Sequence, residues 1–225
     1  MMMGRFGLTM NIVSLFLLFL SVINAQIALP TFQGVHKPHS SCASTSTIEV
    51  RVASDNDDAE EAESGSMYRN SSDLELVYDT YQNQGSQQVG MRFLNITIPQ
   101  GTVITNAYLQ FTVDETSSSS CSLTIYGEDT DDATQFSSSS NNISGRTKTS
   151  ASVDWTPDSW TSVGANHNSP DLQSIAQEIV NRSEWNSGND MVLIVTGTGT
   201  GKRTAESYSG SSSKAPLIHI EYCTP

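Results

Sequence analysis

Apolar residues recur at every second position along much of the chain after Thr47, and this alternation is typical of strands that bury one face. Nine segments have this pattern or are short runs of strand length: Ile48–Val52, Leu74–Tyr78, Val89–Phe93, Ala107–Val113, Ser122–Tyr126, Ser150–Trp155, Met191–Thr196, Arg203–Tyr208 and Leu217–Tyr222. The run "MVLIV" is apolar on both faces, which predicts a central strand covered on both sides. Clusters of Gly, Asn, Asp and Ser separate the segments, so the pattern predicts an all-β, jelly-roll-type β-sandwich of about nine strands.

One segment lacks this two-residue alternation, and its apolar residues have the spacing of an amphipathic helix. In "SPDLQSIAQEIVNRSEW" the apolar residues lie three or four positions apart, at Leu172, Ile175, Ala176, Ile179 and Val180. The preceding serine, Ser169, is placed to cap the amino terminus, and a proline suits the first helical position. The pattern predicts one helix over about 170–184 that packs its apolar side on the sandwich.

The amino-terminal region lacks both patterns and has two predicted parts. Arg5 precedes the apolar run "IVSLFLLFLSVI", which ends near the small residue Ala25, and this arrangement predicts a secretory signal peptide at residues 1–25. The run is shorter than the roughly 20 residues that span a bilayer, and no later segment approaches that length, so membrane insertion is not expected. Residues 26–46 have no sustained periodicity, which predicts a flexible segment before a sandwich domain over 47–225.

The charge balance excludes several classes of partner. The chain has 11 basic and 24 acidic residues, and removal of residues 1–25 takes away only Arg5, so 10 basic residues remain and the net charge is −14. Binding to nucleic acid or to anionic lipid requires clustered Lys and Arg, so neither partner is expected. A secreted protein with this charge repels polyanions unless divalent cations intervene.

Three cysteines are an odd number for an oxidising compartment, so one bridge and one free thiol are the simplest arrangement. Cys42 and Cys223 flank the first and last predicted strands, and terminal strands of sandwiches often lie side by side, so we favour a Cys42–Cys223 disulfide. A bridge between chains through Cys42 or Cys121 is the alternative.

Four Asn-x-Ser/Thr sequons are candidate glycosylation sites. Asn181 falls on the helix face opposite the apolar stripe, so its side chain is predicted to be accessible. Asn95 shares the parity of the buried positions Met91 and Phe93, so its use requires a bend in the chain. The remaining two sequons begin at Asn70 and Asn142.

The densest charge lies in "SDNDDAEEAESG", where six carboxylates occur within nine positions. Calcium prefers about six to eight oxygen ligands, and a turn anchored by the preceding strand can supply several of them. We therefore expect a calcium site formed by Asp55, Asp57, Asp58 and Glu60. The alternative is a solvated acidic loop.

Two further acidic groups, at 128–132 and 114–115, follow later strands, and two such loops that met at one end of the sandwich would favour a bound cation. Glycosidases use two carboxyl groups about 5–9.5 Å apart, but the sequence singles out no such pair, so the chain is not expected to be an enzyme. Trp155 and Trp160 bracket "TPDS" and are candidates for a carbohydrate-stacking platform, with core packing as the alternative.

Several segments resemble a known secreted module. They are "SSDLELVYD", "VGMRFLNITIPQGTVITNAYLQFTVDE", "SLTIYGED", "WTPDSW", "PDLQSIAQEIVNRSEWNSGN" and "GKRTAESYSG…APLIHIEY". Together they are similar to the DNRLRE-type, alginate-binding-like carbohydrate-binding modules of marine bacterial and algal extracellular proteins, from about Ile48 to Tyr222, although the DNRLRE motif itself is absent. The resemblance implies a noncatalytic jelly roll that binds acidic polysaccharide and in some cases calcium.

These observations predict a secreted, noncatalytic β-sandwich module that binds extracellular polysaccharide or matrix, with calcium as a structural cofactor. One alternative is a structural matrix or filament subunit that self-associates by lending "QIALPTFQGV" to a neighbouring chain as a strand. Another alternative is a polysaccharide lyase or hydrolase.

Overall fold

A computed structural model describes Cys42 and residues 44–224. The predicted signal peptide, the segment "QIALPTFQGV" and Pro225 lie outside the described residues. The described chain contains one α-helix, α1 (Gln173–Val180), a short 3-10 turn at Tyr81–Asn83, and fourteen strands. In chain order the strands are β1 (Ser44–Arg51), β2 (Asp58–Glu61), β3 (Met67–Tyr68), β4 (Asp73–Leu76), β5 (Tyr78–Asp79), β6 (Gly85–Ser86), β7 (Gln88–Ile96), β8 (Ile104–Glu115), β9 (Ser122–Glu128), β10 (Lys148–Trp155), β11 (Asn166–Asn168), β12 (Asn189–Thr198), β13 (Arg203–Glu206) and β14 (Leu217–Thr224).

Two six-stranded antiparallel sheets form the sandwich. The first has the order β1-β14-β8-β13-β4, with β11 added on β8, and the second has the order β10-β9-β12-β7-β2-β3. Strands β5 and β6 form a separate two-stranded hairpin. The all-β sandwich predicted from the alternation is confirmed. Each of the nine predicted segments forms a strand, and the five additional strands, of two to four residues, are too short to show periodicity.

The core follows the predicted alternation. Met91 and Phe93 of β7 and Leu109 and Phe111 of β8 belong to one apolar cluster, and all four side chains are fully buried. Strand β12 is covered on both sides, as its sequence predicts. Met191, Leu193 and Val195 join the main core, whereas Val192 and Ile194 join a second apolar cluster with Ala59, Ala133, Phe136 and Ile143.

The helix is confirmed but shorter than predicted, because its predicted first turn is used to pair with β8. The hydroxyl oxygen of Ser169 accepts the N–H of Leu109 at 3.0 Å instead of capping the helix. The helix then packs its apolar side over Gly127 of β9, where a Cβ atom would lie 2.6 Å from Ile179. The missing side chain at Gly127 therefore lets the helix approach the sheet closely.

The predicted disulfide is present: Cys42, just before β1, is bonded to Cys223 in β14. Strands β1 and β14 pair along their whole length, so the bridge joins neighbouring strands at the edge of the first sheet. The third cysteine, Cys121, is buried and free. Strand β1 begins at Ser44, inside the segment predicted to be flexible. Within residues 44–224 no helix is long and apolar enough to cross a membrane.

Candidate functional site

The acidic stretch forms a buried strand, so the alternative of a solvated acidic loop is wrong for its central residues. Asp58 and Glu60 of β2 are 3% and 2% exposed, which means that each carboxylate needs a protein partner. Asp58 accepts the backbone N–H of Tyr208 at 2.7 Å, and Glu60 accepts that of Glu75 at 2.7 Å. Glu60 therefore joins β2 to β4 of the opposite sheet, and Asp58 joins it to the turn that follows β13.

Neighbouring carboxylates of the same stretch have other partners. Asp57 pairs with Arg92 of β7 at 2.7 Å. Glu61 accepts the backbone N–H groups of Ile143 and Ser144 at 2.6 and 2.9 Å. The stretch thus acts as a series of hydrogen-bond acceptors that fix surrounding loops.

The structure does not bring Asp55, Asp57, Asp58 and Glu60 together as one calcium site. Asp55 and Asp57 precede β2, and each of the four carboxylates takes a different protein donor, including the Ser209 hydroxyl for Asp55. In the part of the chain that is described, one set of three acidic side chains brings ligand atoms within 4.8 Å of one another, and none of these four belongs to it.

That set consists of Asp73 of β4 with Asp114 and Glu115 at the end of β8. Burial and the nearby charges of Glu206, Asp73 and Glu115 raise the pKa of Asp114 above its ordinary value. Mutual repulsion of this kind is relieved by a proton or a cation. This acidic group could therefore hold a metal ion. Of the acidic segments that were predicted to meet, it includes only 114–115.

The group borders an open cleft of about 560 Å³, which we call the acidic cleft. Five carboxylates, two tyrosines and one lysine dominate its lining: Glu60, Asp73, Glu75, Asp79, Glu115, Tyr68, Tyr81 and Lys202. Strands β2 and β3 of one sheet and β4 and the end of β8 of the other provide most of these residues. The cleft therefore lies where the edges of the two sheets meet.

Burial raises the pKa of two neighbouring carboxyl groups of the acidic cleft, Glu60 and Glu75. Burial, together with a hydrogen bond to Glu75 and its charge, raises the pKa of Glu60 well above its ordinary value. Burial also raises the pKa of Glu75, which forms an ion pair with Lys202 at 3.6 Å. Lys202 reaches Glu115 at 3.4 Å as well, and this lysine is the one cation in the lining.

An exposed aromatic ring stands at the mouth of the cleft. Tyr81 is 65% exposed and belongs to the 3-10 turn between β5 and β6. Its backbone N–H donates to the carboxylate of Asp79 at 2.8 Å, which fixes the turn against the cleft wall. Gln82, Asn83 and Gly85 have positive φ angles, so the turn is tight and presents the ring outward.

The two tryptophans predicted as a stacking platform lie in the core, so that prediction is wrong. Trp155 is 7% exposed and stacks on Phe111 at 5.8 Å between ring centroids. Trp160 is 1% exposed and stacks on His167 at 5.3 Å. Both rings cover the end of β8, which was the alternative interpretation.

Three of the four acidic residues at 128–132 pair with arginines. Arg182 pairs with Asp129 and Asp131, and Arg146 pairs with Glu128 and also lies over the ring of Phe136. Ion pairs of this kind account for these charges without a ligand.

Three of the four sequon asparagines are exposed: Asn70, Asn95 and Asn181. Asn95 avoids the core because the chain bends there, with a φ of +55°. Asn142 is half-buried, and its side-chain oxygen accepts the N–H of Ser137 at 2.9 Å. The accessible positions fit the predicted sequons, and glycosylation itself stays a prediction.

Sequence reasoning missed most of the acidic cleft. Glu75 alternates with the apolar residues Leu74 and Leu76, so it looked like the solvent-facing position of a strand. Asp79 and Tyr81 lie in a segment without regular periodicity. A signal was present in "DLELVYDTY", where Asp73, Glu75, Asp79 and Tyr81 share one parity, but the sequence alone does not show which segments lie against them.

The comparisons with known proteins add no relative: no family model and no curated protein matches this chain. The resemblance to alginate-binding-like modules accordingly stays a prediction.

Proposed function

We propose that this chain is a secreted, noncatalytic module that binds glycans of the extracellular matrix, and that the acidic cleft is its principal binding site. The observation that carries the proposal is the joint location of an exposed tyrosine ring and several carboxylates in one open cleft. The signal-peptide pattern at residues 1–25 and the Cys42–Cys223 disulfide support export to an oxidising compartment.

The cleft has the chemistry that saccharides require. Carboxylate oxygens accept hydrogen bonds from sugar hydroxyl groups, and Asp79 and Glu75 offer such oxygens in the lining. An aromatic ring offers an apolar face to the C–H side of a sugar, and Tyr81 is exposed enough to do so. Ligand sites generally combine a concave surface with a few polar groups that set orientation, as this cleft does.

The arrangement of the acids favours binding over hydrolysis. Glycosidases separate their two catalytic carboxyl groups by about 5–9.5 Å so that a sugar or water fits between them. Glu60 and Glu75 are hydrogen-bonded to each other, and Glu60 also holds a backbone N–H. This pair serves to join β2 to β4 across the two sheets.

Calcium is the proposed cofactor, held by Asp73, Asp114 and Glu115 at the border of the acidic cleft. Carboxylate oxygens are the ligands that calcium prefers, and the three offer ligand atoms within 4.8 Å of one another. A bound cation would offset the repulsion among these acids and would let the cleft accept an acidic polymer.

The ring of Tyr81 provides the first test. Tyr81→Ala should weaken glycan binding about tenfold, because it removes the stacking face, and Tyr81→Phe should stay within about twofold of the unmodified protein. Retardation in gels that contain extracellular polysaccharides measures the effect. Val163→Ala, at a residue 64% exposed, is the surface control. Equal retardation of Tyr81→Ala and the unmodified protein would contradict the proposal.

Calcium binding is tested separately by thermal unfolding. A ligand that binds only the folded state raises Tm with its concentration, so calcium should raise the Tm of the unmodified protein. The double variant Asp114→Asn/Glu115→Gln should lose this shift, and the control Glu184→Gln, at an exposed acidic residue, should keep it. A shift of the same size in all three proteins would exclude this group as the calcium site.

A further inference from the structure

The acidic cleft has more negative than positive charge, and this imbalance restricts the class of glycan that it can take. Five carboxylates line it, and the one lysine of the lining, Lys202, is shared between Glu75 and Glu115. The proposed calcium site lies on β4 and the end of β8 and does not include Asp79 of β5. Within residues 44–224 no Lys or Arg side chain forms an ion pair with Asp79, so its charge has no protein counterion.

Asp79 also has a hydrogen-bond acceptor that the protein does not use. The residue is only 6% exposed, and one carboxylate oxygen accepts the backbone N–H of Tyr81 at 2.8 Å. For the other oxygen the structure shows no donor among residues 44–224. The enclosed side-chain atoms without a partner in this region belong to Gln87, Gln88, Thr105 and Trp160. The second oxygen of Asp79 is therefore not enclosed, and it opens into the cleft that Asp79 lines.

The chemistry of this carboxylate favours a cationic donor. A largely buried charge is costly unless it is paired, and a hydrogen bond from a charged donor to a carboxylate is stronger than one between neutral groups. The Tyr81 ring adds to the preference, because the face of an aromatic ring attracts a ligand cation. Tyr81 is 65% exposed and lines the same cleft as Asp79. One ammonium group at this turn would thus be attracted by both residues.

The rest of the lining favours a sugar as the carrier of this ammonium group. Neutral hydroxyl and amide groups make up much of it, at Asn70, Ser71, Ser72, Thr80 and Gln84. Such groups donate to and accept from sugar hydroxyl groups, whereas the aliphatic part of a lysine side chain offers them no partner. An ammonium group also offsets the mutual repulsion of the carboxylates, as calcium would at the neighbouring acids.

We propose that the acidic cleft binds glycans with free amino groups, such as polymers of glucosamine, and that Asp79 and Tyr81 hold the ammonium group. This inference rests on the proposed function, because it names the class of glycan that binds at the same site. An acidic polymer requires calcium to bind here, whereas an amino glycan does not. A chelator therefore separates the two classes of ligand.

The test compares three hexasaccharides that share the β-1,4 linkage and differ in charge, made of glucosamine, N-acetylglucosamine or glucuronate. Isothermal titration calorimetry is carried out with a chelator at about pH 6, where amino groups of this kind are protonated. We expect the glucosamine hexasaccharide to bind at least about tenfold more tightly than the N-acetylated one, and the glucuronate to bind most weakly. Added salt should reduce this preference, because it screens the charges.

Asp79→Asn tests the position of the ammonium group, because it removes the charge and keeps an oxygen that accepts the Tyr81 N–H. This variant should bind the glucosamine hexasaccharide about tenfold more weakly and the N-acetylated one within about twofold of the unmodified protein. Glu184→Gln removes an exposed carboxylate outside the cleft and should keep the full preference. The three ligands are also compared on the unmodified protein, so the result does not depend on the folding of a variant.

The other outcomes separate this inference from the proposed function. Equal affinity for the glucosamine and N-acetylglucosamine hexasaccharides, or tight binding of the glucuronate with the chelator present, would overturn the amino-glycan inference alone. A preference that Asp79→Asn leaves unchanged would overturn Asp79 as the ammonium site. If none of the three binds, gel retardation that depends on Tyr81 would leave the proposed function standing. Binding of hexalysine without any glycan binding or retardation would overturn both proposals.

Discussion

Asp58 shows how one buried carboxyl group makes the fold sensitive to pH. Burial, partly offset by the hydrogen bond from the Tyr208 N–H, raises the pKa of Asp58 from 3.8 to about 7. The folded state therefore binds more protons than the unfolded state between these values. Because protons favour the state that binds them, the contribution of Asp58 to the free energy of unfolding falls as pH rises through this window.

The Asp58→Asn variant tests this effect. Its amide oxygen still accepts the Tyr208 N–H but does not titrate, so the variant should gain stability relative to the unmodified protein by roughly 4 kcal/mol between pH 4 and pH 8. Urea unfolding at both pH values, with a chelator present, measures the difference. A difference that is the same at both pH values would show that Asp58 is ionised throughout.

At the scale of elements, two loops depend on the first residue of β13. Arg203 is 2% exposed, and its guanidinium donates to the carbonyl oxygens of Pro157, Asp158 and Ser119 at 2.8–2.9 Å. No ion-pair partner for it occurs between residues 44 and 224, so these carbonyl oxygens, that of Lys202 and the Ser117 hydroxyl surround the buried charge. The planar guanidinium suits this arrangement because it presents several N–H groups in fixed directions.

Replacement of Arg203 should therefore destabilise the protein more than an average core substitution. We expect Arg203→Met to lower the free energy of unfolding by about 3–5 kcal/mol, because several buried carbonyl oxygens lose their donors. Arg203→Lys should recover only part of this loss, because one ammonium group cannot reach the carbonyl oxygens of both loops at once. Chemical unfolding against the control Val163→Ala measures both, and a loss below about 1 kcal/mol for Arg203→Met would contradict this role.

Strands and the helix were predictable from the sequence where one face stays apolar over a segment of five or more residues. Strands β7, β8 and β12 meet that condition, and so does the apolar side of the helix, so all were found from periodicity. Strand β2 does not meet this condition, because "DAEE" has only one apolar residue. Its burial depends on hydrogen-bond donors from distant segments of the chain. The start of the helix was predicted too early for a similar reason. The Ser169 hydroxyl oxygen accepts a hydrogen bond from Leu109 of β8, and the local sequence does not predict this contact.

At the scale of the whole molecule, the sheet order creates the candidate site. The acidic cleft combines β2 and β3 from one sheet with β4 and β8 from the other, and these segments are far apart in the chain. Sequence reasoning predicted the fold class and the disulfide, since both follow from regular strands. It did not predict which acids meet, because this depends on sheet order and register.

The central claim is that the acidic cleft binds a glycan without transforming it. The most direct measurement incubates the protein, at catalytic and at stoichiometric concentrations, with the polysaccharide that retards it most in the gel. Free reducing ends and the absorbance of unsaturated uronates are then followed over time. The account predicts retardation that depends on Tyr81, with no product above the protein-free control. Product formation that Glu75→Gln abolishes would contradict it.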